Sequence, residues 1–125
     1  PVLGNLAGEI QLAEGAVVTH LRLHQQSAVA AQLESWVARL GAGSRYDQHL
    51  LALAGGLLRS NLGVTLEGRG ASCRLDGLFL AEGESQVDLL TRVEHHGPAT
   101  RTVQDYRGIA AGRGRGALNG RIVVH

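Results

Sequence analysis

The stretch Gln86-Val87-Asp88-Leu89-Leu90-Thr91-Arg92-Val93 decides the fold of this chain. One side of it carries Val87, Leu89, Thr91 and Val93, and the other side carries Gln86, Asp88 and Arg92 together with Leu90. An alternation with a period of two residues is typical of a β-strand that buries one face. A single strand is not stable alone, so the same pattern should recur along the chain.

The alternation does recur on both sides of this stretch. Leu62, Val64 and Leu66 share one side before it, and Leu118, Gly120, Ile122 and Val124 share one side after it. Glycine-containing turn signals separate the strands: Glu14-Gly15, Gly41 to Gly43, Gly55-Gly56, Gly68 to Gly70, Glu82-Gly83, Gly97-Pro98 and Gly112 to Gly116. A spacing of about a dozen residues suits stacked rungs. The strand pattern alone also allows a sandwich or a barrel.

The segment Ala28 to Leu40 has a different periodicity. Its apolar residues at helical spacing are Leu33, Trp36, Val37 and Leu40. Ser27 stands where a helix N-cap would be, and Gly41 where a helix would end. Read alone, the segment predicts a helix. The alternative is a further strand with Leu33, Ser35, Val37 and Arg39 on one face, which the local pattern supports less well.

Composition favours a single all-β domain over residues 1–125. The chain has 44% hydrophobic residues, 18 glycines and only two prolines, which indicates many tight turns around a core of small residues. Its 12 basic residues are all arginine, balance 11 acids to a net charge of +1, and are scattered. Nucleic-acid binding would need a basic cluster.

The cysteine count and hydropathy bear on the compartment. Cys73 is the only cysteine, so no internal disulfide can form and a reducing compartment fits best. No apolar run reaches membrane-spanning length, and no secretory signal opens the chain. We therefore expect a cytoplasmic protein with no membrane contact.

Histidines are the first candidates for a metal site. Glu94, His95 and His96 are consecutive, but adjacent residues on a strand point to opposite faces, so the two imidazoles should not share one ion. His20 and His24 would share a helix face, yet Val17 to Leu23 alternates as a strand and places His24 at the strand's exit. We expect no metal ligands in either pair.

Two further groups carry nucleophiles. Ser44, Asp47 and His49 supply the residue types of a hydrolase triad, but triads depend on three-dimensional geometry and the G-x-S-x-G elbow is absent, so chance proximity is the better explanation. Cys73 alternates with Leu75, Gly77 and Phe79 on one strand face, which favours a buried structural thiol over a nucleophile. We expect no catalytic residue in either group.

A glycine-rich stretch imitates a cofactor motif. Gly112-Arg113-Gly114-Arg115-Gly116-Ala117 satisfies the G-x-G-x-x-A variant of the dinucleotide fingerprint. That motif must open a helix after a strand, whereas a strand pattern follows here, so the match should be accidental. The sequence contains no Walker A motif, and we expect no ATPase activity from the chain itself.

From Arg59 onward the sequence resembles the SufB/SufD family of iron–sulfur cluster assembly proteins. The matching elements, in order, are Arg59-Ser60-Asn61-Leu62-Gly63-Val64-Thr65-Leu66-Glu67-Gly68, Gly77-Leu78-Phe79-Leu80, Gly83, Asp88-Leu89-Leu90-Thr91-Arg92-Val93-Glu94-His95, Pro98, Tyr106-Arg107-Gly108 and Leu118-Asn119-Gly120-Arg121-Ile122-Val123-Val124. Glu9 to Leu21 also looks like the family's early rungs and leans toward SufD. The departures are Leu118 in place of an aromatic residue and Thr102 in place of serine.

The resemblance implies a right-handed parallel β-helix, and it favours a strand over the helix in Ala28 to Leu40. It also implies a non-catalytic scaffold subunit that pairs with a SufB/SufD partner and engages the SufC ATPase. An iron–sulfur cluster intermediate would belong to the assembled complex, and we expect no cofactor on this chain. The alternative from a different class is a small β-solenoid enzyme or carbohydrate-binding domain, which would line one face with acids or aromatics.

The chain begins at Pro1 and stops at His125, within a strand-like stretch. We interpret it as a β-helix core fragment that lacks the family's C-terminal rungs and helical domain. An apolar terminal strand, Arg121-Ile122-Val123-Val124-His125, would expose unpaired backbone groups. Self-association of the fragment through its terminal strands is therefore expected.

Overall fold

The computed structural model describes residues 2–25, 30–54 and 56–125. These residues form nine β-strands: β1 (Val2–Leu12), β2 (Val17–Gln25), β3 (Ala30–Leu40), β4 (Arg45–Ala54), β5 (Leu57–Leu66), β6 (Ser72–Ala81), β7 (Gln86–His95), β8 (Arg101–Ala110) and β9 (Arg115–Val124). The described ranges contain no helix, and hence no helix that could cross a membrane. The all-β prediction is confirmed.

The strands build two parallel sheets that face each other. The odd-numbered strands form one sheet in the order β1-β3-β5-β7-β9, and the even-numbered strands form the other in the order β2-β4-β6-β8. The chain thus crosses from one sheet to the other at every turn and returns beside the strand it left two elements earlier. The result is a β-solenoid of about four turns, as the predicted parallel β-helix requires.

Each rung lies in register on the rung before it. Val2 pairs with Ala30, 28 residues later, and Leu57 pairs with Gln86, 29 residues later. Side chains therefore stack in columns, one of which is Ile10, Ala38, Val64, Val93 and Ile122. Because alternate residues of a strand point to opposite faces, each column lies wholly inside or wholly outside the solenoid.

β3 resolves the conflict over Ala28 to Leu40. Residues 30–40 form a strand paired on both edges, so the helix predicted from the local pattern is wrong, and the strand implied by the family resemblance is confirmed for these residues. Trp36 and Leu40 point inward, whereas Leu33 and Val37 point outward, and apolar residues on both faces imitated a helical stripe. Ser27 and residues 28–29 lie outside the described ranges.

The interior contains two apolar clusters at opposite ends of the cross-section. The first is built from Leu12, Ala38, Leu40, Tyr46, Leu62, Val64, Leu66, Ala71, Cys73, Leu75 and Val93. The second is built from Leu50, Ala52, Leu58, Phe79, Ala81, Val87 and Leu89. Tyr106 packs against both clusters, so it spans the zone between them. That intermediate zone is where the interior becomes polar.

The turns stack as closely as the strands. At Gly68 an added Cβ atom would lie 2.1 Å from the backbone nitrogen of Ala42 in the preceding rung, so only glycine fits. Gly15, Gly43 and Gly70 hold positive φ at equivalent positions of successive turns, and Ala99 takes the next such position with a φ of 57°. The predicted Gly55-Gly56 turn lies partly outside the described residues.

Candidate functional site

A network of polar side chains occupies the solenoid interior between the two apolar clusters. Its centre is Arg22, which points inward from β2. The guanidinium forms an ion pair with Glu34 of β3, and it donates hydrogen bonds to Gln48 Oε1 at 2.9 Å and to Ser60 Oγ at 2.6 Å. The network therefore links four strands, two from each sheet, through one cation.

The Glu34 carboxylate has two further partners. Ser60 Oγ donates to Glu34 Oε1 at 2.9 Å, and His24 Nε2 lies 3.2 Å from Glu34 Oε2. Burial, reinforced by the nearby Arg22 charge, lowers the pKa of His24. A neutral imidazole can donate its Nε2 proton to the carboxylate, so both Glu34 oxygens are satisfied without a second full charge.

Arg22 itself is held in a poorly solvated position. Burial lowers the pKa of its guanidinium, and its Nε atom has no hydrogen-bond partner. Gln48 extends the network to β6, because its Nε2 atom donates a hydrogen bond to the carbonyl oxygen of Asp76 at 2.8 Å. Tyr106 lies in the same zone between the two apolar clusters, and burial raises the pKa of its hydroxyl to about 12. The arrangement can hold charge away from water and fix the strands relative to one another, and apart from Arg22 Nε its side chains are bound within the protein.

His20 also lies inside, next to this network. Its Nδ1 atom is 2.8 Å from the Tyr46 hydroxyl, and its ring meets Trp36 edge-on at 4.7 Å between centroids. Burial lowers the pKa of His20. Since β2 extends to Gln25, His24 lies within the strand, and its predicted place at the strand's exit is wrong. Both histidines face inward but serve different partners.

Cys73 is the buried thiol that the sequence predicted. It points inward from β6 with 4% of its surface exposed, and burial raises the pKa of the thiol to about 11. Its sulfur lies 3.5 Å from Thr102 Oγ1, which lies 3.0 Å from His95 Nε2. His95 Nδ1 is in turn 2.7 Å from Thr100 Oγ1. The thiol is protonated and engaged, as a structural cysteine should be.

The two adjacent histidines diverge as predicted. His95 is held by threonines, whereas His96 Nε2 lies 3.0 Å from Glu94 Oε2 on the outer side. The hydrogen bond from His96, together with the charge of Arg92, lowers the pKa of Glu94. A third group, His125, lies 3.6 Å from the same Glu94 oxygen, a contact that sequence reasoning missed.

The other candidates do not assemble into sites. Ser44 Oγ donates to the carbonyl oxygen of Gly41 at 2.7 Å inside a turn, while Asp47 binds Arg45 and His49 lies 3.4 Å from an Asp76 oxygen. Each member of the supposed triad is thus committed to a different neighbour. The glycine-rich stretch from Gly112 leads into β9 and not into a helix, which removes the dinucleotide interpretation.

Arginines on the outer face are paired with acids two residues away. Arg45 Nε lies 3.0 Å from an Asp47 oxygen, and Arg74 Nε lies 2.8 Å from an Asp76 oxygen. Residues two apart on a strand share a face, so each pair neutralises itself locally. On the outer surface of β4 and β6, a positive charge is therefore followed by a negative one.

Comparisons with known proteins give one match. The family model described as SUF system FeS cluster assembly, SufBD core domain, matches residues 2–125. The match therefore includes all nine strands and both parts of the interior. Searches of curated proteins and of solved structures found no match.

Proposed function

The chain belongs to the SufBD core family of the SUF system for FeS cluster assembly, and from this premise we propose that it is a non-catalytic scaffold subunit of the SufBCD complex. Membership supports a role in iron–sulfur cluster assembly. The scaffold role is the finer proposal. Its main support is the way the ionisable groups are used in the structure.

The carboxylates of the interior and of the paired outer strands β4 and β6 are engaged in structural pairs. Glu34 is buried and bound by Arg22, Ser60 and His24. On the outer face, Asp47 and Asp76 are each bound by the arginine two residues before them. A solenoid enzyme or carbohydrate-binding domain would instead direct free carboxylates or aromatic rings into one groove. The observed pairing favours the scaffold.

The proposed partners follow from the family. We expect a SufB/SufD partner subunit and the SufC ATPase, with this chain in the SufD-like role and in the cytoplasm. An iron–sulfur cluster intermediate is then cargo of the assembled complex. Cys73 is the chain's single cysteine, and one thiolate does not hold a cluster, which ordinarily needs four ligands.

Co-purification tests this proposal. The tagged protein is isolated from cells that also express the ATPase and partner subunits, and the eluate is assayed for both subunits, iron and sulfide. We expect all four together, with no ATP hydrolysis by this chain alone. Isolation without the other subunits, or turnover of ATP or a polysaccharide by this chain, would contradict the proposal.

A pair of glycine variants sharpens the test. Gly68→Ala places a Cβ atom against the backbone of the preceding rung, whereas a Cβ atom at Gly63 would meet nothing within 4 Å. If the stacked scaffold carries assembly, Gly68→Ala should reduce co-purification and Gly63→Ala should preserve it. Equal recovery of partners with both variants would show that the rung stack is not the assembling element.

A further inference from the structure

The register of β7 and β9 brings a histidine from the end of each strand to one place. His95 pairs with Val124, and the backbone nitrogen of His125 donates to the carbonyl oxygen of His95 at 3.0 Å. The next residues, His96 and His125, therefore lie side by side. Their rings are stacked with centroids 4.2 Å apart and planes 16° apart.

A carboxylate lies against both rings. Glu94 Oε2 is 3.0 Å from His96 Nε2 and 3.6 Å from His125 Nε2, and the three groups' ligand atoms all lie within 4.8 Å of one another. Ligand atoms around a tetrahedral zinc ion, with bonds of about 2.0–2.1 Å, are about 3.3 Å apart. The two separations from Glu94 Oε2 are already near that value, and the two histidine ligand atoms lie within 4.8 Å of each other. Binding of one ion requires the exposed, stacked rings to turn so that both nitrogen lone pairs point at it.

We propose that Glu94, His96 and His125 form a binding site for a divalent transition-metal ion, with Zn²⁺ as its representative. Two imidazoles and one carboxylate are ligands that zinc and its neighbours accept, whereas Mg²⁺ prefers oxygen ligands alone. The histidine side chains are 42% and 49% exposed, so an ion can enter from solvent and keep water as its fourth ligand.

A neighbouring arginine fixes the orientation of the carboxylate. Arg92 Nη2 lies 2.7 Å from Glu94 Oε1, which leaves Oε2 directed at the two histidines. Metal ligands are commonly oriented by such outer partners. Arg92 therefore acts as a positioning residue for the site, with one carboxylate oxygen engaged by the guanidinium and the other held beside the two imidazoles, where an ion would replace their contacts with it.

The inference goes beyond the scaffold role and departs from the sequence-based expectation that no residue of this chain binds metal. The reasoning about His95 and His96 stands, because these two do not share an ion. The missing ligand was His125, which follows His96 by 29 positions and reaches it through the rung register.

Titration calorimetry on the untagged chain tests the site. Zn²⁺ is titrated into the native protein and into the variants Glu94→Gln, His96→Ala and His125→Ala, and Mg²⁺ is titrated in parallel. His49→Ala is the matched control, because His49 is an exposed histidine beside one carboxylate without a second imidazole. Circular dichroism of each variant shows that the fold is retained.

We expect one equivalent of Zn²⁺ on the native chain and on His49→Ala, with no binding of Mg²⁺. Each of the three ligand variants should weaken Zn²⁺ binding by at least ~100-fold, since replacing even a residue that only orients a metal ligand costs about 10- to 100-fold. Absence of stoichiometric Zn²⁺ binding to the native chain, or retention of it in the three folded ligand variants, would refute the proposal.

Discussion

Arg22 of β2 and Glu34 of β3 form an ion pair inside the solenoid, with side chains 5% and 1% exposed. The two residues lie in successive rungs and in opposite sheets, so their contact ties one sheet to the other. Removing charges from water is costly, and the pair is stable only because Ser60, Gln48 and His24 supply further hydrogen bonds. Its energetics should therefore depend on whether one partner or both are replaced.

Glu34→Ala should lower the free energy of unfolding by about 3–5 kcal/mol, because it leaves Arg22 charged and buried. The double variant Arg22→Met/Glu34→Leu should recover most of that loss. Urea denaturation measures both. Glu84→Gln is the control, since its pair with Arg113 is 80% and 84% exposed and should contribute less than ~1 kcal/mol. A double variant as unstable as Glu34→Ala would show that the charges contribute net stability.

The half-buried histidines His20 and His24 should make the fold sensitive to acid. Burial lowers the pKa of His20 and His24 below the ordinary value of 6.5. Below pH 6.5 the unfolded chain binds protons at these histidines that the folded chain excludes. The contribution of the neutral histidines to the free energy of unfolding is therefore fully present above pH 6.5 and is lost as the pH falls below that value. The melting temperature should drop between pH 7.5 and 5.5, and His24→Gln should reduce the drop. If His24→Gln left the drop in melting temperature unchanged and the outer-face variant His49→Gln reduced it, the acid sensitivity would come from the outer face and not from the interior histidines.

The Cys73 thiol should react only after the protein unfolds. Because burial raises its pKa from 9.0 to about 11, the thiolate fraction at pH 8 falls about 100-fold, and burial also blocks access. Labelling with iodoacetamide at pH 8 should therefore be at least ~100-fold slower in the native protein than in urea. Comparable rates in both conditions would mean that the thiol is accessible and the solenoid opens at β6.

Ala99→Gly should stabilise the protein by about 1 kcal/mol. Ala99 holds a φ of 57° in the turn position where Gly15, Gly43 and Gly70 have positive φ. The left-handed conformation costs a residue with a Cβ atom about 1–2 kcal/mol, which exceeds the entropic cost of glycine. Ala42→Gly, at a turn position with ordinary φ, should instead destabilise by about 0.5–1 kcal/mol. Thermal melting of the two variants should shift in opposite directions; a shared direction would contradict the strain argument.

The 125-residue chain should associate through β9, as predicted for its terminal strands. Among the described strands β9 pairs only with β7, and its residues Ile122 and Val124 are 57% and 76% exposed. An open apolar edge is a template for another strand. Sedimentation at micromolar concentration should show a dimer or larger species that Ile122→Lys/Val124→Lys converts to monomer. Leu78→Lys, on an inner strand, is the control. A native chain that sediments as a monomer would show that this edge is harmless.

Local alternation predicted the strands, and the family resemblance predicted how they stack. The pattern at Gln86–Val93 corresponds to β7. A strand that buries only one face can be recognised from its own sequence, because apolar and polar residues then alternate. For Ala28 to Leu40 the local pattern predicted a helix, but residues 30–40 form a strand. A strand with apolar residues on both faces shows no clear period of two.

The functional groups were harder to predict, because they meet only through the rung register. Arg22 and Glu34 belong to strands of opposite sheets, and His96 and His125 are separated by a whole rung. Turn lengths set that register, and they differ from rung to rung, with offsets of 28 residues at Val2 and 29 at Leu57. Neither contact follows from the spacing of residue types alone.

Rung stacking also governs how such a protein can change length in evolution. Leu57 pairs with Gln86, so loss of residues 57–85 would bring β7 into the place of β5 without inverting any face. A rung touches only the rungs before and after it, which means that whole rungs can be duplicated or deleted while the remaining columns rejoin. Size in this architecture is inherited in discrete steps of one rung, and smaller insertions are confined to the turns.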